Sequence, residues 1–249
     1  MPSRIAIPMP HSTDLEYAHR AIPQYERAVE LAGGVPVRIP LHQTQDELKK
    51  LIAGCDGVLL PGSKADVNPA KFHQPVSPHS AAADTRREEL DFFLLDDVYA
   101  RQKPVLAICY GLQSLNVYRH GSLIQHIPDL PPEAAQNRVD HEAGRKVAVA
   151  HTVEIAAESN LRRIVTSSAS DEAHDNLTLP VNSSHHQSAD KIGEGLRIVA
   201  RCPDDGIIEA LEGTASDHFV LAVQWHPERS VDQDEYSSRI FEALVSATK

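Results

Sequence analysis

The sequence predicts an α/β fold: a mostly parallel central sheet with flanking helices and additional strands toward the C-terminus. Three observations predict it. Over the first 110 residues short β-branched runs alternate with stretches of helical period, as stacked βα units on a parallel sheet do. After Val147 the texture changes to a series of strand-like runs. The chain has 249 residues, and α/β folds of about 250 residues often form one unit, so a single domain over residues 1–249 is expected.

Taken in order, Arg4 to Ile7 reads as the first strand. From Tyr17 to Ala32 the apolar positions Ile22, Tyr25, Val29 and Ala32 recur every three or four residues, and Gly33-Gly34 ends that helix. Val35 to Ile39 is a strand. Thr44-x-x-Glu47 is a capping box, after which Leu48, Leu51 and Ile52 form the apolar stripe of a short helix. Asp56 to Leu60 reads as a buried strand ending at Pro61-Gly62. The segment from Pro61 to Asp84, rich in Pro, Ser, Ala and His and without a period, is a long loop of the kind that often carries function. Thr85 to Glu88 reads as a second capping box, opening a helix with Leu90, Phe93, Leu94 and Val98 inward and ending near Arg101. Pro104 begins a strand, Val105 to Ile108, and Pro128 to Lys146 reads as irregular. His151 to Ile155, Val181 to Ser184, Leu196 to Ala200, Gly206 to Leu211 and Phe219 to Trp225 read as strands, with a turn at Asp204-Asp205-Gly206. An amphipathic helix from Glu235 to Ala247 carries Ile240, Phe241, Leu244 and Val245 on its apolar side.

Composition excludes several function classes. With 24 Lys+Arg against 35 Asp+Glu the formal net charge is −11. The basic residues fall singly or in pairs such as Lys49-Lys50, Arg86-Arg87 and Arg162-Arg163, not in the clusters that phosphate contacts need, so no nucleic-acid partner is expected. No apolar run approaches the roughly 18 residues needed to span a bilayer, and the N-terminus has no leader pattern, so no membrane contact is expected. Three cysteines far apart, Cys55, Cys109 and Cys202, do not resemble a disulfide framework; a reducing, cytoplasmic location is expected. Fourteen histidines raise the question of a metal. No pair has His-x-x-x-His spacing and no Cys-x-x-Cys occurs, so neither a metal site nor a cofactor is expected.

The stretch from Lys103 to Gln113 places Cys109 at the abrupt end of a buried strand, with Gly111 two residues on and a helical pattern after it. That is the strand–turn–helix arrangement of a nucleophile elbow. A thiol at a helix N-terminus feels a partial positive charge that favours thiolate, and the Tyr110 amide would point outward to hold an oxyanion. A buried structural cysteine ending a strand would look the same on this segment alone. A second stretch adds to it. Phe219 to Trp225 runs into His226-Pro227-Glu228, where Pro227 is expected to keep the backbone extended. Residues two apart then project to one side. Glu228 would reach the His226 imidazole, hold its tautomer and stabilise the imidazolium formed when it takes the thiol proton.

With Leu60-Pro61-Gly62-Ser63, Asp66-Val67-Asn68-Pro69 and Val181-Asn182-Ser183-Ser184-His185-His186-Gln187, these motifs resemble class I glutamine amidotransferase-like hydrolases. Within that group they are most similar to the γ-glutamyl-γ-aminobutyrate hydrolase family, the C26 cysteine peptidases. The resemblance implies a doubly wound, flavodoxin-like α/β fold and hydrolysis of the γ-glutamyl amide of a small γ-glutamyl amine through a thioester, releasing glutamate and an amine. It implies Cys109 as nucleophile, His226 as base and then acid, and Glu228 as orienter. It implies an oxyanion hole from the amide of Tyr110 and one from the Gly62-Ser63 turn, and Gln113, His185 and Gln187 as substrate-pocket residues.

The sequence also departs from that family, which usually has Gly at Ala107, Arg at Tyr110 and Gly-Gly at His120-Gly121. The methyl of Ala107 is tolerable in a tight turn. Tyr110 removes a cation that would face a substrate carboxylate, which points away from γ-aminobutyrate as the leaving amine. The region from Phe72 to Asp84 lacks the acidic loop common in the family. Two other readings compete: a glutaminase subunit that passes ammonia to a synthase partner, and a non-catalytic small-molecule sensor. The absence of an attached synthase domain and the long segment from Asp140 to Gln187 count against the first, and three competent triad positions against the second. The expected partner is the small-molecule γ-glutamyl substrate, with a homodimer left open.

Overall fold

The computed structural model describes residues 1–131, 138–166 and 177–249. Among them the chain forms, in order, β1 (Arg4–Pro8), α1 (Leu15–Leu31), β2 (Val35–Ile39), α2 (Gln45–Ala53), β3 (Gly57–Leu60), α3 (Thr85–Arg101), β4 (Val105–Ile108), α4 (Tyr110–Tyr118), β5 (Leu123–Ile124), β6 (His151–Ile155), α5 (Asn160–Val165), β7 (Leu177–Val181), β8 (Ser188–Ala189), β9 (Leu196–Arg201), β10 (Ile208–Gly213), β11 (Val220–Val223) and α6 (Glu235–Ser246). Nine strands share one sheet in the order β2-β1-β3-β4-β11-β10-β9-β6-β7. The pairings from β2 to β11 are parallel, and those from β11 to β7 are antiparallel.

Alternate residues of the central strands feed two cores. Ile5 and Ile7 of β1, Leu59 of β3, Leu106 and Ile108 of β4 and Leu221 and Val223 of β11 pack with Ile22, Tyr25 and Val29 of α1 and Ile240, Phe241 and Leu244 of α6. Ala6, Val58, Leu60, Val105, Ala107 and Ala222 face the other way, against Ile52 of α2, Leu90, Leu94 and Val98 of α3 and Leu112 and Leu115 of α4. Both faces of each strand are thus dry, which explains why the sequence is apolar throughout these runs rather than alternating. Helices on both faces of the parallel half of the sheet are the doubly wound arrangement that the resemblance implied.

The element boundaries carry several corrections. The Thr44–Glu47 capping box is present, but α3 is capped by Asp84, not by a Thr85–Glu88 box. The Asp84 carboxylate accepts from the amides of Arg87 and Ser12 and from the Ser12 hydroxyl, tying the start of α3 to the loop after β1. Glu88 accepts instead from the amide of Asn68 in the long loop. That loop also contains a 3-10 turn, Pro69–Phe72. The strand expected at Val181 to Ser184 lies earlier, at Leu177–Val181. Asn182 leaves the ladder because its side-chain amide donates to the carbonyls of Gly144, Val147 and Ala148. The strand expected to begin at Gly206 begins at Ile208, since Gly206 has φ +75° and belongs to the turn. The two-residue strands β5 and β8, which pair with each other, and the six-residue α5 are too short to show a period. Part of the expected irregular stretch, 132–137, lies outside the described residues. Among the described residues no helix is long and apolar enough to cross a membrane, and all three cysteines are free thiols.

Candidate active site

The carboxyl ends of three adjacent parallel strands, β3, β4 and β11, bring together Gly62 and Ser63, Cys109, and His226, where open α/β sheets commonly bind ligands. Cys109 stands between β4 and α4 with φ 54° and ψ −107°, a conformation that L residues rarely adopt and that costs about 1–3 kcal/mol. Its neighbours over-determine it. The Cys109 amide donates to the Val223 carbonyl at 2.8 Å, and the Gln113 amide to the Cys109 carbonyl at 3.2 Å. Gly111 allows α4 to press against β3, since a Cβ there would lie 2.3 Å from the Leu60 carbonyl oxygen. The elbow read from the sequence is therefore present, with its glycine where the close approach needs it.

His226 follows β11, and its Nδ1 is 2.7 Å from Glu228 Oε1, both side chains being buried. The reach between them has a different cause from the expected extended backbone. Pro227–Arg229 is a 3-10 turn with Pro227 at its first position, where the missing N–H costs nothing, and the turn folds Glu228 back onto the ring. Burial works against a charge on His226, but the Glu228 carboxylate and the Cys109 sulfur outweigh it and raise its pKa to about 9. Burial likewise opposes the charge of Glu228, and His226 more than offsets it, holding the carboxyl below its ordinary range. Gly62 backs this pair: a Cβ there would sit 3.1 Å from His226 Cε1 and 3.7 Å from Cys109 Cβ.

Of the two amides in the Gly62-Ser63 turn, that of Gly62 is taken, since it donates to the Tyr25 hydroxyl at 3.0 Å. Ser63 faces the cavity and keeps its place beside Tyr110 as a candidate donor. The Tyr110 side chain does not stand where the missing arginine would have met a substrate. It is 1% exposed, packed with Ala65, Val67, Phe72 and Val117, with its ring 5.0 Å from the buried Arg87 guanidinium.

The cavity has a volume of about 470 Å³ and is bordered by Cys109, His226, Gln113, His185 and Gln187 among others. Most polar atoms of the expected pocket residues are already engaged. Gln113 Nε2 donates to the Gln187 carbonyl and Gln224 Oε1. Gln187 Nε2 donates to the Gln125 carbonyl, while its buried Oε1 has no partner. Both His185 nitrogens turn away from Cys109, toward the Gln187 carbonyl and toward Glu209, so His185 supports the wall and offers the cavity no polar atom. What sequence reasoning missed is the set of cations at the rim: Arg20, Lys64, Arg145 and Arg229 border the cavity with Asp66, and each cation also has a carboxylate within 4.0 Å, on Glu16, Asp14, Glu142 and Glu228 respectively. Asp66 is itself paired with His186 at 3.1 Å. These cations come from four separate segments, each of which reads as a solvated charge.

A family model, peptidase C26, matches residues 6–228. The γ-glutamyl-γ-aminobutyrate hydrolase of Escherichia coli K12 is 31% identical over 90% of this chain and 84% of its own. A glutamine amidotransferase-like protein of Rickettsia prowazekii (strain Madrid E) is 30% identical over 90% of this chain and 88% of its own. Among solved structures, the glutaminase domain of CTPS from Trypanosoma brucei, with bound acivicin, superposes with a TM-score of 0.62 at 16% identity, covering 99% of this chain and 93% of that one. At that identity the likeness is one of fold, and it agrees with the sheet described above. The chain belongs to the peptidase C26 family of class I glutamine amidotransferase-like hydrolases.

Proposed function

We propose that the protein hydrolyses the γ-glutamyl amide bond of a small γ-glutamyl amine through a thioester on Cys109, releasing glutamate and the amine. The observation that carries this reading is the strained Cys109 elbow beside the buried His226–Glu228 pair, on a cavity rimmed by four cations in a chain of net charge −11. A γ-glutamyl group presents an α-carboxylate some distance from the scissile amide, and Arg20, Lys64, Arg145 and Arg229 are the side chains that would attract it.

In the first step Cys109 Sγ attacks the γ-carbonyl carbon, and the oxyanion is held by the amides of Tyr110 and Ser63. The C–N bond breaks as His226 gives its proton to the departing amine nitrogen. In the second step His226 takes a proton from water, the oxygen attacks the thioester carbonyl, the C–S bond breaks and glutamate leaves. Glu228 is the positioning residue that stabilises the imidazolium in both steps.

A panel of γ-glutamyl amines, including γ-glutamyl-γ-aminobutyrate and glutamine, assayed for glutamate release by the purified protein alone, tests this. Release from at least one γ-glutamyl amine other than glutamine, absent in Cys109→Ala, is expected. Release from glutamine only, and only when a synthase partner is added, would replace the reading by that of a glutaminase subunit.

A further inference from the structure

A second group of imidazoles meets a carboxylate on the far side of the His185–Gln187 wall. His141 lies in the segment before β6, His151 opens β6, His185 follows β7, and Glu209 is in β10; their side chains are at most 2% exposed. The outer nitrogen of each ring is held by an acceptor: His141 Nε2 by Asp205 Oδ2 at 2.8 Å, His151 Nδ1 by the Thr152 carbonyl at 3.0 Å, and His185 Nδ1 by the Gln187 carbonyl at 2.8 Å. Only an N–H satisfies a carbonyl or a carboxylate, so in each neutral ring the inner nitrogen carries a lone pair.

Those three inner nitrogens converge on one oxygen. Glu209 Oε1 is 3.1 Å from His141 Nδ1, 3.5 Å from His151 Nε2 and 3.4 Å from His185 Nε2, and the first two nitrogens are 3.1 Å apart. His185 Nε2 and both Glu209 oxygens are buried without a hydrogen-bond partner. Four lone-pair atoms facing one another in a dry interior repel unless a cation stands between them. A zinc ion with bonds of about 2.0–2.1 Å to four tetrahedral ligands sets those ligands roughly 3.3 Å apart, and the four separations scatter around that figure. Hydrogen bonds from the outer ring nitrogens to carbonyls or carboxylates are also what metal-bound histidines ordinarily show.

We propose that His141, His151, His185 and Glu209 form a closed, tetrahedral site for a divalent transition-metal ion of the zinc type. Three imidazoles and a single oxygen suit such an ion and not magnesium or calcium, which take mostly oxygen ligands. With all four positions supplied by the protein and none facing the cavity, the ion's role is structural. It clamps the segment around His141 and the turn holding Gln187 onto the antiparallel half of the sheet. The rival occupant is a proton: burial opposes it, but hydrogen bonds to Asp205 and Glu209 raise the His141 pKa to about 9.

Metal analysis of the purified wild-type protein, before and after exhaustive dialysis against a strong zinc chelator, decides between the two. Expected are one tightly held ion per chain, a lowered Tm after stripping, recovery of Tm on adding back zinc ions, and the visible bands of a tetrahedral site when cobalt(II) is supplied instead. Glu209→Gln and His151→Asn should each lose the ion, while His79→Ala, in the exposed group His79, His126 and Asp129, should keep it. If either of the first two variants fails to fold, the stripping and cobalt arms on the wild type still decide. A metal-free protein whose Tm responds neither to chelator nor to zinc ions would overturn the site in favour of the proton. Metal that survives Glu209→Gln but disappears in His79→Ala would equally overturn it, as surface binding.

Discussion

Two buried groups in this molecule are made of the same chemical parts, imidazole and carboxylate, and are arranged differently. In the first, His226 and Glu228 are two residues apart, one ring nitrogen faces the carboxylate at 2.7 Å, and His226 borders the cavity beside Cys109. In the second, residues 141, 151, 185 and 209 converge in the interior with every outer nitrogen already bonded. A single histidine with one side committed and the other facing a nucleophile can pass a proton back and forth. Three histidines with committed outer sides can only share a cation. What separates the proposed catalytic pair from the proposed metal cage is therefore which nitrogen is left, and what it faces, rather than residue type.

The largest expected effect breaks the first group alone. Cys109→Ala removes the nucleophile and should lower turnover by at least about 10,000-fold, while Tm stays within a few degrees of wild type. Cys109→Gly should be equally inactive and no less stable, because glycine accepts φ 54° without strain. Glutamate release and thermal melts of both variants check this; a retained rate would remove Cys109 from the chemistry. Next, Glu228→Gln keeps the shape and loses the charge, so turnover should fall by roughly 10- to 10,000-fold. The loss should be greater on an amide than on a reactive ester, whose leaving group needs little protonation. Single-turnover assays on both substrates show it, and equal losses would make Glu228 merely structural.

A third prediction follows from the sign of the His226 shift. Its pKa rises from the ordinary value of about 6.5 to about 9 in the folded chain. The stabilisation is then fully present below about pH 6.5 and is lost as pH rises through about 9, by at most about 3 kcal/mol. Tm measured between these limits should fall in the wild type and fall less in His226→Asn; parallel curves would refute it. The smallest effect concerns strain outside the site. His120 has φ +69° and is exposed, where the family usually has glycine. His120→Gly should stabilise by about 0.5–1 kcal/mol with turnover unchanged, read as a small rise in Tm. Positive φ would then be functional at Cys109 and incidental at His120.

The parallel half of the fold was legible because its strands are buried on both faces and its helices carry an apolar stripe, so period and burial are written into adjacent residues. Cys109, Gly111, His226 and Glu228 were legible for a related reason: an elbow and a pair two residues apart are local, fixed within a few residues, although the pair is joined by a 3-10 turn and not by the extended chain expected. Less was legible where a residue's partner is distant in the chain. Asp84 displaced Thr85 as the cap of α3 because Ser12, seventy-two residues away in sequence, meets it. Asn182 left its strand for carbonyls of the segment 144–148.

The sequence by itself pointed to the fold class, the Cys109 elbow and the pairing of His226 with Glu228, since steric and hydrogen-bonding rules over short separations suffice for each, but the 3-10 turn that makes this pairing, in place of the expected extended chain, is seen only in the structure. The tertiary structure alone decided that Tyr25 takes the Gly62 amide, that Tyr110 points into the core, that four cations from separate segments meet at the cavity rim, and that His141, His151, His185 and Glu209 face one another. Each of these depends on side chains delivered by different strands to one place, and no spacing along the chain records a distance across a sheet.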